Sequence, residues 1–111
     1  MANAARLPVI RGGNCAASST LTLTWVSAGV FGMLSINNIG PGKAAMSFGV
    51  TAPANTTPAT DVLVLAAGDK VSFENIELDQ VLSFRADATV GGADISAFAQ
   101  MYPEAGMGGF A

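Results

Sequence analysis

The chain has 111 residues, enough for one domain that buries roughly two-thirds of its unfolded surface without a disulfide or metal staple. Histidine is absent and Cys15 stands alone, which excludes an intrachain disulfide, zinc sites built on His and Cys, and catalysis by Ser-His-Asp or Cys-His sets. Charged residues make up 12% and apolar ones 50%, with a net charge of −3, so the composition predicts a surface partly covered by other subunits and argues against nucleic acid. The plainer alternative is a soluble monomer covered by Ser, Thr, Asn, Gly and Ala.

Residues 1–18 carry no sustained periodicity, and Pro8 and Gly12-Gly13 break what apolar pattern there is. This predicts an extended N-terminal arm that docks on a neighbouring subunit or frays. Its two arginines flank no apolar core, so it is not read as a signal peptide, and a reducing cytoplasm is expected. No run approaches the ~20 apolar residues of a membrane span.

Thr20 to Trp25 is the cleanest alternation, with Leu21, Leu23 and Trp25 on one face and Thr20, Thr22 and Thr24 on the other. Ser27-Ala28-Gly29 predicts a turn into a returning strand over Val30 to Asn37, with Gly32 marking a weak point or bulge. Asn37 to Gly42, rich in Gly, Asn and Pro, predicts a loop. A third strand over Ala44 to Val50 places Ala44, Met46, Phe48 and Val50 on one face. Thr51 to Thr60, with two prolines and no apolar face, predicts a surface loop or a long connection between sheets.

Asp61 to Asp87 reads as the framework: three short strands joined by two turns. Asp61 to Leu65 is a short apolar run expected to be buried on both faces. Ala67-Gly68-Asp69 supplies a tight turn. Val71 and Phe73 then alternate with Lys70, Ser72 and Glu74, and after a polar turn at Glu77 to Gln80, Leu82, Phe84 and Ala86 share a face. Val90 to Asp94 predicts a hairpin turn into a last strand, Ile95 to Tyr102, for which a short helix over Asp94 to Met101 is an alternative. Residues 103–111 predict a flexible, glycine-rich tail anchored only by Phe110. Together these give an all-β domain over 19–102: a small antiparallel β-sandwich or jelly-roll-like barrel of about seven strands.

The candidate chemistry is thin. Ile39-Gly40-Pro41-Gly42-Lys43-Ala44 lacks the glycine and the Ser/Thr of a phosphate loop, and Pro41 removes an amide. The carboxylates Asp69, Glu74, Glu77, Asp79, Asp87 and Asp94 show no calcium-loop spacing and sit mostly at turns, where Asp serves the local backbone. Cys15 has no neighbouring base and reads as a buried or tolerated thiol. Asn55-Thr56-Thr57 matches a glycosylation acceptor but has no secretory context. Trp25 reads as core, and Arg85 as half of a cross-strand ion pair. No catalytic, cofactor-binding or metal-ligating residue is assigned, and no enzyme activity is expected.

Charge is nevertheless asymmetric. Arg6, Arg11 and Lys43 precede Asp61 with no acid among them, whereas the eight acids from Asp61 onward face only Lys70 and Arg85, a net of −6. Six of those acids fall between Asp61 and Asp87, so a basic arm meeting an acidic face on a neighbour is one reading.

The segments Val62 to Asp69, ending in Leu-Ala-Ala-Gly-Asp, and Val81 to Ala86, Val-Leu-Ser-Phe-Arg-Ala, followed by a last strand at Ile95 to Tyr102, resemble small structural proteins of tailed bacteriophage virions. The resemblance covers about residues 45 to 102. It implies a non-enzymatic capsid decoration (cement) protein, assembled in the bacterial host cytoplasm and resident in the virion. It further implies a homo-oligomer, a trimer being favoured, that binds the major capsid protein or neighbouring virion subunits. The alternative is another head–tail or tail-fibre component, such as an adaptor or a carbohydrate- or receptor-binding module with Trp25, Tyr102 and loop acids as contacts. Arg6, Leu7, Val9, Ile10, Arg11 and Phe110 are the residues expected to meet a partner.

Overall fold

A computed structural model describes residues 9–102. They form eight strands: β1 (Val9–Cys15), β2 (Thr20–Trp25), β3 (Phe31–Pro41), β4 (Ala44–Phe48), β5 (Leu63–Leu65), β6 (Lys70–Glu77), β7 (Gln80–Ala86) and β8 (Ala93–Met101). Two antiparallel four-stranded sheets face each other, ordered β1-β8-β3-β6 and β2-β7-β4-β5. That order is a jelly roll, two Greek keys wrapped into a sandwich.

The inward faces are those the alternation marks. Leu23 and Trp25 from β2, Leu82, Phe84 and Ala86 from β7, and Ile95, Ala97 and Ala99 from β8 are all buried in one core with Leu34 and Ile36 of β3. β8 is a strand throughout, so the helical alternative over Asp94 to Met101 is not adopted; its alanines let the two sheets approach closely.

Several connections differ from expectation. Only β4 and β5 are sequence neighbours within one sheet; every other consecutive pair crosses to the facing sheet. The turn at Ser27 to Gly29 therefore carries the chain from β2 across to β3 rather than into a hairpin. The three strands of Asp61 to Asp87 are likewise split, β5 and β7 in one sheet and β6 in the other. β5 is an edge strand with Leu63 exposed, not a strand buried on both faces. β3 runs straight through the predicted loop to Pro41, absorbing Asn38 to Gly40 as a register shift against β8 and showing a second shift at Gly32 against β6.

The largest correction concerns the predicted arm. Residues 9–15 are β1, an eighth strand paired along its length with β8. β1 is an edge strand whose side chains are all exposed except Cys15, which is why no burial pattern shows in its sequence. The domain thus begins no later than Val9. Residues 1–8 and 103–111, including Arg6, Leu7 and Phe110, lie outside the described residues.

The middle of the outer face of the β2-β7-β4-β5 sheet, along β4 and β7, is covered by the chain's own 49–62 segment, while Thr20, Thr22 and Thr24 of β2 stay exposed. Ser83 Oγ donates to the Gly49 carbonyl (2.6 Å), Ser47 Oγ to Thr51 (2.9 Å), and Arg85 Nε to the carbonyl of Pro53. This strap leaves Ala45 and Ser83 buried although they point away from the core.

Candidate interaction surface

The opposite outer face, that of the β1-β8-β3-β6 sheet, has no such strap among the described residues. Register places Ile10, Phe98, Ser35 and Ser72 in one row across it, and Gly12, Ser96, Asn37 and Lys70 in the next. Strand alternation adds Phe31 and Met33 from β3 to the same face, and Ile39 is exposed at the register shift between Asn38 and Gly40. Ile10 is 68% exposed, Ile39 60% and Phe31 51%. Ser72 Oγ donates to Ser35 Oγ (3.2 Å) in the middle of the face, and its charged residues stand at its margins, Lys70, Glu74 and Glu77 on the β6 edge and Asp94 at the start of β8. A face with an uncharged middle that exposes large aliphatic and aromatic groups is chemistry for docking on another protein surface.

Of the residues expected to meet a partner, β1 gathers Val9, Ile10 and Arg11, and they do different things. Ile10 points outward. The Val9 carbonyl accepts a hydrogen bond from Trp25 Nε1 (3.0 Å), and Arg11 Nε donates to the Thr24 carbonyl (3.1 Å), so both tie β1 to β2 across the open edge of the sandwich. Trp25 itself is 2% exposed, so it offers no platform to a ligand.

The acids do not assemble into one face, because their strands belong to different sheets. Asp69 Oδ2 accepts from the Ala66 amide (2.8 Å) and Asp87 Oδ1 from the Thr89 amide (2.9 Å), both within loops at one end of the sandwich. Glu77, at the other end, accepts from the Gly29 amide (2.8 Å). Hydrogen bonds from Thr89 hold the Asp87 carboxyl below the usual range. Glu74 accepts from the Tyr102 hydroxyl, which pushes that phenol above its ordinary value. Arg85 stands opposite Thr20 and Ala45, not opposite a carboxylate, so the expected cross-strand ion pair gives way to its bond with Pro53. Cys15 is buried, with Sγ 3.3 Å from the Ser19 carbonyl, and burial raises its pKa.

Two features escaped the sequence. Asn38, expected in a loop, is fully buried: Nδ2 donates to the carbonyls of Gly42 (3.0 Å) and Leu65 (2.8 Å), and Oδ1 accepts from the Gly40 amide (2.8 Å). A polar cavity of about 250 Å³ opens between the strap and the loop after β7, lined by Ser18, Asn55, Thr56, Arg85 and Asp87 among others. Neither leaves a linear signal, since both depend on segments far apart in the chain.

No protein-family model matches the sequence, and no curated protein does. Among solved structures the chain is similar to a de novo designed double-stranded β-helix determined by NMR in solution, with a TM-score of 0.50 and 15% identity over 85% of this chain and 99% of that one. It is also similar to a protein of the disulfide-linked pili that form Bacillus endospore appendages, with a TM-score of 0.43 and 15% identity over 93% of this chain and 94% of that one. The first likeness concerns the fold alone; the second is too distant to carry an argument.

Proposed function

We propose that the protein is a non-enzymatic virion structural subunit of the capsid-decoration type. It docks through the outer face of its β1-β8-β3-β6 sheet on the major capsid protein or on neighbouring copies, without a cofactor or metal. The observation that carries this reading is the asymmetry between the two outer faces: the middle of one is covered by the chain's own strap, while the middle of the other is uncovered among the described residues, carries no charge and exposes Ile10 and Phe31. The charge-poor composition and the resemblance of residues 45–102 to small phage virion proteins support it further. In this reading the protein assembles in the host cytoplasm and works as an oligomer, a trimer being the arrangement the resemblance implies.

Co-sedimentation of the purified chain with undecorated phage shells tests the proposal. Wild type pellets with the shells, and Ile10→Asp, which alters only an exposed side chain of an edge strand, stays in the supernatant while remaining folded. Retained binding by Ile10→Asp, or no binding by wild type, defeats it.

A second reading, a carbohydrate- or receptor-binding module of a tail component, is favoured by one observation, the polar cavity containing Arg85, Asp87 and Asn55. Glycan-array binding that is lost on Asn55→Ala would establish it instead.

A further inference from the structure

The sandwich has one tied edge and one open edge. At the first, Trp25 and Arg11 bond β1 to β2. At the second stand β6, eight residues long, and β5, only three. No residue of β6 is buried: Val71 and Phe73 point inward yet stay half-buried. Phe48 and Leu63, on the inward faces of β4 and β5, are 44% and 38% exposed, and Phe48 meets Phe73 edge-on at 5.2 Å between ring centres. Among the described residues, nothing covers the core along this edge. We infer that β6 pairs antiparallel with β6 of a second copy of the chain, joining two sheets across a twofold axis at Ser72. The inference stands apart from the virion reading.

Backbone direction and charge carry it. The Asn38 amide donates to the Asp69 carbonyl (2.9 Å) and the Asn38 carbonyl accepts from the Gly68 amide (2.6 Å), so Asn38 turns its backbone groups toward the β6 side. Alternation turns those of Ile36 and Leu34 the same way, toward their partners Val71 and Phe73. Lys70, Ser72 and Glu74 therefore present their amides and carbonyls to the open side, where an added strand can bond them. Asn75, at φ of +57°, and the register shift beyond Phe73 end the regular edge, leaving Lys70 to Glu74 as its straight segment. Laid antiparallel on itself, that segment pairs in full only with Ser72 on the axis. Lys70 then stands opposite Glu74 of the second copy, twice by symmetry, and Val71 opposite Phe73 on the inner side beside Phe48. A strand without the matching acid would leave Lys70 unpaired, so the edge favours its own copy.

Sedimentation equilibrium of the full chain tests the inference. Wild type should form a dimer. Lys70→Glu and Glu74→Lys each set like charges opposite one another and should weaken dimerisation roughly ten- to a hundredfold. The double variant Lys70→Glu/Glu74→Lys, and an equimolar mixture of the two single variants, should dimerise as wild type does. A monomer at every concentration overturns the inference, as does a trimer or a dimer indifferent to both single changes. If the charge variants do not fold, oxidation of Ser72→Cys decides. Residues so paired lie about 5.5 Å apart at Cα, within disulfide range, so a disulfide-linked dimer is expected. Ser96→Cys, two strands in from the edge on the same face, should stay reduced. Equal cross-linking of the two, or none at Ser72→Cys, overturns it.

Discussion

The indole nitrogen of Trp25 donates a 3.0 Å hydrogen bond to the carbonyl of Val9, joining the edge strand of one sheet to the edge strand of the other. A sandwich is open along its edges, and here a buried core residue spans the gap. Its ring fills the core while its one polar atom satisfies a carbonyl of β1.

Trp25→Phe keeps most of the ring and deletes that bond. It should cost about 1 kcal/mol in urea unfolding. Trp25→Ala should cost about 3–5 kcal/mol, because it enlarges an apolar cavity at this end of the core. Equal losses for the two variants would show that packing alone matters at this position.

Asn38 holds together three segments from inside the sandwich: the β3 bulge at Gly40, the turn at Gly42 and the end of β5 at Leu65. Asn38→Leu retains bulk but leaves two carbonyls and one amide without their partner. Each such loss costs about 1–3 kcal/mol, so the variant should lose roughly 3 kcal/mol or more, or fail to accumulate as folded protein. Equilibrium unfolding monitored through the buried Trp25 reads this directly.

The loop between β7 and β8 passes close under the end of β1. At Gly92, with φ of +64°, a Cβ would stand 2.0 Å from the Cys15 carbonyl oxygen and 2.9 Å from the Ala17 amide nitrogen. Gly29 has a similar φ of +78° but open space around it. Gly29→Ala should therefore cost only the backbone term of about 1–2 kcal/mol. Gly92→Ala should cost well beyond that, since β1 must move. Comparable midpoints for the two would contradict the close approach.

Burial raises the pKa of the Cys15 thiol, so folding favours its protonated form. The stability this contributes is fully present below the ordinary thiol value of 9.0 and is lost as pH rises from there through the higher folded value. Native protein at neutral pH should react with a thiol reagent only as fast as it unfolds, and the alkaline loss of stability should shrink in Cys15→Ala. Immediate modification of the folded protein would show that the sulfur is accessible.

The strands with strict alternation, β2, β7 and β8, were legible from sequence because side-chain period is a local property: Leu23, Phe84 and Ala97 face the core as their spacing requires. The same logic gave an all-β domain and placed the carboxylates at turns, where Asp69 and Asp87 bond backbone amides. It failed at β1. An edge strand that buries one side chain in seven shows no period, so Val9 to Cys15 read as an arm. It failed again at Asn38, whose three partners are set by distant bonds that no spacing encodes.

What the sequence determined by itself was therefore the strands that bury one alternating face, such as β2, β7 and β8, and which of their faces is apolar, since both follow from neighbours along the chain. Which strand pairs with which, whether a turn stays in its sheet or crosses to the other, and which outer face has its middle covered by residues 49–62 were decided only by the tertiary structure. Those choices rest on closing the two apolar faces against each other. They satisfy backbone groups far apart in sequence, so they have no local signature to read.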